Sequence, residues 1–313
     1  MIATLTPNPS LDLTYNLSRL ERGEVQRAGS VSVEAGGKGI NVSRNLISNG
    51  EASRSVAPVG GSSGDQFVSL LEGSSIDLVR VPVAEPIRMN ASLVEQNGEV
   101  TKVNAPGPHL SESELDRLLS ETASIAEGAS WLALCGSLPP GAPDDLYAQA
   151  VSLARSAGCR VAVDSSGPPL EAALKAGPDL IKPNLEELSG LVGRSLVTFG
   201  EILAALKEAR ARGAGSVLVS LGADGAMLLD EEGALHADTP PFTPRSTVGA
   251  GDALLAGFLF AAGEREAGLA EAVAWGAAAA RLPGSRGPAP EDLDREEVSV
   301  HADLAVGREL KKS

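Results

Sequence analysis

Short apolar runs alternate with amphipathic stretches along most of this chain. The runs at 2–6, 55–59, 131–135, 160–163, 180–181 and 216–220 are each followed within two residues by Gly, Pro or Asp. Runs of that length, so punctuated, read as buried strands. Between them, apolar residues recur at helical spacing over 40–47, 65–71, 111–127, 144–157, 169–176 and 200–211. Strands alternating with such helices imply right-handed crossovers and a mainly parallel sheet covered on both faces, an α/β fold. Two stretches break the rhythm. Residues 13–33 alternate loosely, as a small antiparallel excursion would, and residues 87–104 hold the hairpin turn signal Asn97-Gly98, so the two are expected to pair as one small sheet. The tail from Pro283, rich in Pro and Gly and then charged, predicts a loop and a last helix.

With 313 residues, 43% hydrophobic and 21% charged, the chain suits a large α/β domain with a substantial core. The net charge of -15 opposes nucleic acid and anionic membrane surfaces, and 3% aromatic residues are too few for a base-stacking platform. An acidic protein that handles phosphates must concentrate positive field locally, through helix N-termini, a few placed Lys or Arg side chains, and a metal ion. Cys135 and Cys159 lack CxxC spacing and read as core thiols in a reducing compartment. His109, His236 and His301 lie far apart with no HExxH, so they read as isolated surface residues and no zinc site is expected. No signal peptide is read at the N-terminus, and the longest apolar run, 253–262, is interrupted by Gly257 and too short to span a bilayer. The expected location is cytoplasmic, with no membrane partner.

Candidate chemistry gathers in glycine-rich loops. Gly249, Ala250 and Gly251 precede Asp252 and a run of helix formers. Without a Cβ, the two glycines let a bulky anion approach the backbone amides. The orphan N–H groups of the following first turn suit phosphate oxygens. A carboxylate beside such an anion hole is the pairing phosphoryl transfer needs: one group takes a proton, the other neutralises developing charge. A second loop, Gly36-Gly37-Lys38-Gly39, opens the helix bearing Asn41. Asp12 follows the first strand, at the sheet edge where open α/β folds bind ligands. Ser137 follows the strand at 131–135, and Gly222 and Gly225 follow the one ending at Ser220. After Lys182, Asn184 and Glu187 stand three apart on one side of a turn, a placement suited to a hydrated magnesium ion. Arg88 suits a bidentate phosphate clamp.

Each feature has an ordinary alternative: an Asp near an N-cap, a glycine turn with a solvated Lys, a capping box at Asn184 and Glu187, a surface charge at Arg88. Order and position weaken those alternatives jointly, because five such loops follow predicted strands along one edge of one sheet. The chain has no GxxxxGK[ST] loop and no GxGxxG after the first strand, which argues against a P-loop ATPase and a dinucleotide enzyme.

In their order, GGKGINVSR, GSLPPG, KPNLEEL, SLGADGA and STVGAGD resemble the carbohydrate kinases of the ribokinase-like family, from Thr4 to about Gly284. The sugar-phosphate branch is the most similar. LERGEV and AGGKGINVSRNL look most like 1-phosphofructokinases, and KPNLEELSGL fits tagatose-6-phosphate kinases as well. The resemblance implies a three-layer fold with a mainly parallel central sheet, forming one carbohydrate kinase domain over 1–313. It also implies a small β-sheet lid, inserted at about 13–33 and 87–104, which makes a homodimer contact. The implied activity is ATP-dependent phosphorylation of a hexose phosphate. Asp252 is then the general base, with the amides of Gly249, Ala250 and Gly251 as its anion hole. Sugar contacts fall on Asp12, Gly37, Lys38, Asn41, Arg88 and Ser137. Nucleotide contacts fall on Lys182, Asn184, Ser220, Gly222 and Gly225, with Glu187 linked to Mg2+ through water. Where minor 6-phosphofructokinases carry two basic residues in the first lid segment, this chain has Glu24 and Gln26, leaving Lys38 and Arg88 to supply the phosphate charge. The implied substrates rank fructose 1-phosphate, tagatose 6-phosphate, then fructose 6-phosphate. Outside enzymes, the alternative is a non-catalytic sugar-phosphate sensor, against which the intact GAGD stands.

Overall fold

Two sheets organise the computed structural model, which describes residues 1–284 and 286–311. In chain order the strands are β1 (Ile2–Leu5), β2 (Ser10–Leu17), β3 (Ser30–Gly36), β4 (Ser53–Val59), β5 (Asp77–Pro82), β6 (Arg88–Glu95) and β7 (Val100–Val103). They continue as β8 (Trp131–Cys135), β9 (Arg160–Asp164), β10 (Leu180–Ile181), β11 (Ser216–Ser220), β12 (Ala226–Leu229), β13 (Ala234–Asp238) and β14 (Ser299–His301). The helices are α1 (Lys38–Ser48), α2 (Gly61–Leu71), α3 (Glu112–Ala126), α4 (Leu146–Ser156) and α5 (Gly167–Lys175). After them come α6 (Leu185–Val192), α7 (Phe199–Ala211), α8 (Ala250–Phe260) and α9 (Arg265–Arg281).

The large sheet runs β14-β13-β12-β11-β10-β9-β8-β1-β4-β5. From β11 to β5 every neighbouring pair is parallel, and β12, β13 and β14 extend one edge antiparallel. The chain builds outward from β1 in both directions, so the strand order reverses beside it. Ligands of open α/β sheets bind outside the carboxyl ends of the strands at such a reversal. The carboxyl ends here deliver Asn8, Ser137, Asp164, Lys182 and Gly222 to one edge.

Both faces of the central strands are buried, which is why their sequences read as continuous apolar runs. Leu132 and Leu134 join the core under α3 to α7, while Trp131, Ala133 and Cys135 join the core under α1, α8 and α9. Helix α8 is buried almost all round. A Cβ at Gly257 would lie 2.6 Å from the Glu271 carbonyl oxygen, so only glycine lets α8 and α9 approach this closely.

The small sheet runs β3-β2-β6-β7. The two irregular segments do pair: β2, which starts at Ser10, runs antiparallel to β3 and parallel to β6. The register places Leu11, Leu13, Tyr15, Val33, Leu93 and Val103 on one face. The inner part of that face packs on Ile40, Phe67 and Ile87. Asp12, Glu34 and Asn90 stand in register on the other face.

Two expectations fail at the C-terminal side. Instead of a last α-helix, the described tail forms a 3-10 turn at Pro290–Asp292 and strand β14. Pro288 and Pro290 break helical continuity, and the open edge of β13 offers the tail a ladder. Nor are the histidines all isolated at the surface. His236 is buried with Nε2 2.7 Å from the Asp224 carbonyl oxygen, and His301 stacks on it, opposite in the β13–β14 register. With Asp238 they form a compact cluster, beside which the Arg308 guanidinium, 3.6 Å from Asp238 Oδ2, already supplies the positive charge. Among the described residues no helix is long and apolar enough to cross a membrane.

Candidate active site

Helices α1 and α8 both begin on glycine with positive φ, Gly37 at 123° and Gly249 at 78°, and neither N-cap carries a side-chain cap. Their first-turn N–H groups therefore remain available to an anion. The helices pack side by side, so Asn41 of α1 reaches Asp252 in the first turn of α8, donating from Nδ2 to Oδ2 at 2.8 Å.

Below this pair lies a charged floor that sequence reading did not assign. Asp164, at the end of β9, is fully buried and takes Lys38 Nζ at 2.8 Å and Lys182 Nζ at 3.2 Å. Lys182 is itself buried, and a Cβ at Gly251 would lie 3.5 Å from its Nζ, so this ammonium sits against the GAGD loop. Lys38 also reaches Glu187 Oε1 at 3.4 Å.

These neighbours push the two carboxyl groups apart. Burial raises the pKa of Asp252 first, and the Asp164 charge adds to it. The Asn41 hydrogen bond, Lys38 and Lys182 oppose, leaving Asp252 pushed up from 3.8 to about 6. Burial acts on Asp164 in the same direction, but Lys182 and Lys38 outweigh it and hold that carboxyl below its ordinary range. For Lys38, burial is outweighed by Asp164 and Glu187, and the ammonium is held well above its usual value. One carboxylate stays ionised and one is poised near neutrality, the separation expected of an electrostatic anchor and a general base.

The capping box at the start of α6 is real. Asn184 Oδ1 accepts from the Glu187 amide and Glu187 Oε2 accepts from the Asn184 amide, each at 2.8 Å. It uses one Glu187 oxygen and leaves Oε1 turned toward Lys38, so the cap does not preclude a role in the cleft. Carboxylate oxygens are the hard donors magnesium takes, and a partly exposed Glu187 already committed to a cap fits a contact through water. Asn184 bridges to Ser220, at the end of β11. Gly222 (φ 58°) then opens a 3-10 turn with free space around it, whereas a Cβ at Gly225 would strike the Ala237 carbonyl. Asp224 between them is buried and held by the Arg308 guanidinium at 2.6 Å and the Lys311 amide at 2.7 Å.

Asp12 is not at the carboxyl end of β1, as expected, but within β2. There its Oδ1 accepts from Ser10 Oγ at 2.7 Å and Asn90 Nδ2 at 2.9 Å. Arg88 holds the carbonyls of Asn8 (2.9 Å) and Ala105 (3.3 Å), and Asn8 Nδ2 lies 3.5 Å from Ser137 Oγ, which gathers Arg88, Asn8 and Ser137. The picture of five loops following strands of one sheet needs correction too. GGKG follows β3 of the small sheet, and GAGD follows an irregular segment.

Asp164, Asn8 and Asn90 are the residues that sequence reading passed over. The signal for Asp164 was present, as a lone carboxylate closing an apolar strand. Asn90 became legible only through the β2–β6 register.

A buried carboxylate poised between helix-mouth amides and two lysines, at the reversal point of a parallel sheet, belongs to a phosphotransferase acting on an alcohol. The chain is a member of the pfkB family of carbohydrate kinases, whose sequence profile matches residues 6–287. It is 38% identical over 266 residues to a 1-phosphofructokinase from Rhodobacter capsulatus, covering 83% of each chain. It is 37% identical over 281 residues to ATP-dependent 6-phosphofructokinase isozyme 2 of Escherichia coli (strain K12), covering 89% of this chain and 90% of that one. The crystal structure of phosphofructokinase-2 from Escherichia coli in complex with potassium superposes with a TM-score of 0.87 at 35% identity, covering 93% of this chain and 96% of that chain. The ribokinase-like fold and the kinase class expected from the sequence both hold.

Proposed function

We propose that this protein transfers the γ-phosphoryl group of ATP to the 6-hydroxyl of fructose 1-phosphate, giving fructose 1,6-bisphosphate. The observation that carries the reading is Asp252, held by Asn41 at the uncapped mouth of α8 with a pKa near neutrality. In its ionised form Asp252 takes the proton of the acceptor hydroxyl as that oxygen attacks the γ-phosphorus in line. The amides of Gly249, Ala250 and Gly251 face the charge that develops on the transferring group, and Lys38 and Lys182 add positive field from below. Magnesium, when bound, supplies further charge neutralisation on the phosphates, with Glu187 as its water-linked partner in this reading. Asp12, Gly37, Asn41, Arg88 and Ser137 are the sugar-phosphate side. Asn184, Ser220, Gly222 and Gly225 are the nucleotide side.

The small sheet serves as a lid within the single kinase domain, and closing it over the sugar excludes water as a competing acceptor. Its outer apolar face exposes Val31, Met89 and Val103, which supports a homodimer contact through that sheet. The two buried free thiols support a cytoplasmic setting. Likeness to 1-phosphofructokinases, together with Glu24 and Gln26 in the first lid segment, favours fructose 1-phosphate.

An ADP-release assay with magnesium ATP and a panel of hexose phosphates tests the reading. Fructose 1-phosphate is expected to give by far the highest kcat/KM. Preference for fructose 6-phosphate or tagatose 6-phosphate overturns the substrate assignment, and binding without turnover overturns the enzyme.

A further inference from the structure

Arg44 lies one turn beyond Asn41 on α1, and none of the roles above falls on it. It is half-buried, and its guanidinium makes two bonds: Nη1 donates to Asn41 Oδ1 at 2.8 Å, and Nη2 donates to the Ala35 carbonyl at 2.7 Å. A guanidinium has five N–H donors and no acceptor. The Asn41 amide oxygen must therefore face Arg44, and its NH2 group must face Asp252. An asparagine left to itself could present either end, because its two ends differ little in shape. Here the arginine settles the choice.

We infer that Arg44 is a positioning residue that fixes the Asn41 amide so that it donates to Asp252, and that its second bond ties this orientation to the end of the β3 strand. This rests on the assignment of Asp252 as general base. Donation from Asn41 does two things for a base. It holds Oδ2 in place, which leaves Oδ1 to face the acceptor hydroxyl. It also favours the ionised form of the carboxyl, and a flipped amide would favour the protonated form instead. The other charged or titratable groups acting on Asp252 are Asp164, Lys38, Lys182 and the Cys135 thiol, and none of them touches the Asn41 oxygen. Arg44 also feels Glu34, Asp12 and Asp252, so it is a cation set among acidic groups of both the lid side and the base side. Ala35 is the last but one residue of β3, next to Gly36 where the GGKG sequence begins, so a shift of the small sheet reaches the base through one side chain.

The test is kinetic, on the full chain. Arg44→Met removes both bonds. Arg44→Lys keeps the charge but cannot present a planar fork to two acceptors. Both are expected to lower kcat at saturating substrates by about tenfold or more while KM for ATP stays within about threefold, the signature of an interaction that matters mainly in the transition state. The acid limb of the pH–rate profile should move upward in both variants, which a purely structural role would not produce. In a cycle with Asn41→Ala, the double variant should be no slower than Asn41→Ala alone, since Arg44 acts through Asn41. An unmoved acid limb with additive losses overturns the inference. If Arg44→Met does not fold, Arg44→Lys carries the same readouts. Full turnover in Asp252→Asn is a different result: it removes the base itself, whatever Arg44 does.

Discussion

Replacing Asp252 by Asn separates what this site needs for chemistry from what it costs in stability. The carboxyl titrates near 6 in the folded protein against 3.8 as a free side chain, with burial as the first cause. Its folded pKa is raised, so between roughly pH 4 and 6 the native state holds a proton that the unfolded chain has released. Wild-type stability from this group therefore falls as pH rises through that window and is flat above it. A separation of about two units corresponds to about 3 kcal/mol of destabilisation at about pH 7.5, and to about half of that at about pH 5. Asparagine has nearly the same shape, can still accept from Asn41, and carries no charge to desolvate. The variant should then melt higher than wild type by roughly 4–5 °C at about pH 7.5, with a gap that shrinks as the pH is lowered to about 5. Turnover of fructose 1-phosphate, followed by ADP release, should fall by about two to four orders of magnitude, the usual contribution of a positioned base. Wild-type kcat/KM should itself decline below about pH 6 as the base is protonated. Equal melting temperatures at both pH values would show that the Asp252 carboxylate is not destabilised by burial in this way, and a variant that keeps full turnover would show that Asp252 is not the base.

Two further substitutions test the sugar side and the nucleotide loop separately. A Cβ at Gly36 would run into the Asp12 carboxylate, so Gly36→Ala should raise KM for the sugar phosphate by about tenfold or more while KM for ATP holds, as steady-state kinetics with each substrate varied would show. Arg308→Ala strips the guanidinium from the buried Asp224 carboxylate and should destabilise the protein by about 3 kcal/mol, read as the urea midpoint shift. An unchanged midpoint would mean that Lys311, through its amide and its ammonium, holds Asp224 without Arg308.

Strands and helices were legible in the sequence wherever both faces of an element are buried. β8 and β9 carry uninterrupted apolar runs, and α1 and α3 show clean helical spacing, because one local rule decides each of them. The glycine loops were legible for a similar reason. Gly37 and Gly249 adopt positive φ, which other residues avoid, so the sequence must declare them. The pairings escaped, because nothing local encodes a register. His236 and His301 meet only through the β13–β14 ladder, and Asn90 meets Asp12 only because β2 and β6 run parallel.

Asp164 is the most instructive of these. Seen alone, it is one more polar residue after a strand, and its weight in the site comes entirely from Lys38 and Lys182, which arrive from a different sheet edge and a different strand. A buried carboxylate between two ammonium groups is stable only as a set, since removing either lysine leaves charge desolvated and unpaired. Burial and the Asp164 charge raise the affinity of Asp252 for its proton, while the Asn41 hydrogen bond and the two lysines lower it, so that affinity is a balance of groups from β9, α1 and the loop after β10. No single motif could have reported that balance. It follows that substitutions at Lys38 or Lys182 should be judged by the pH profile as well as by binding, because in the proposed reaction each would alter both the field on the phosphate and Asp252, the proposed base.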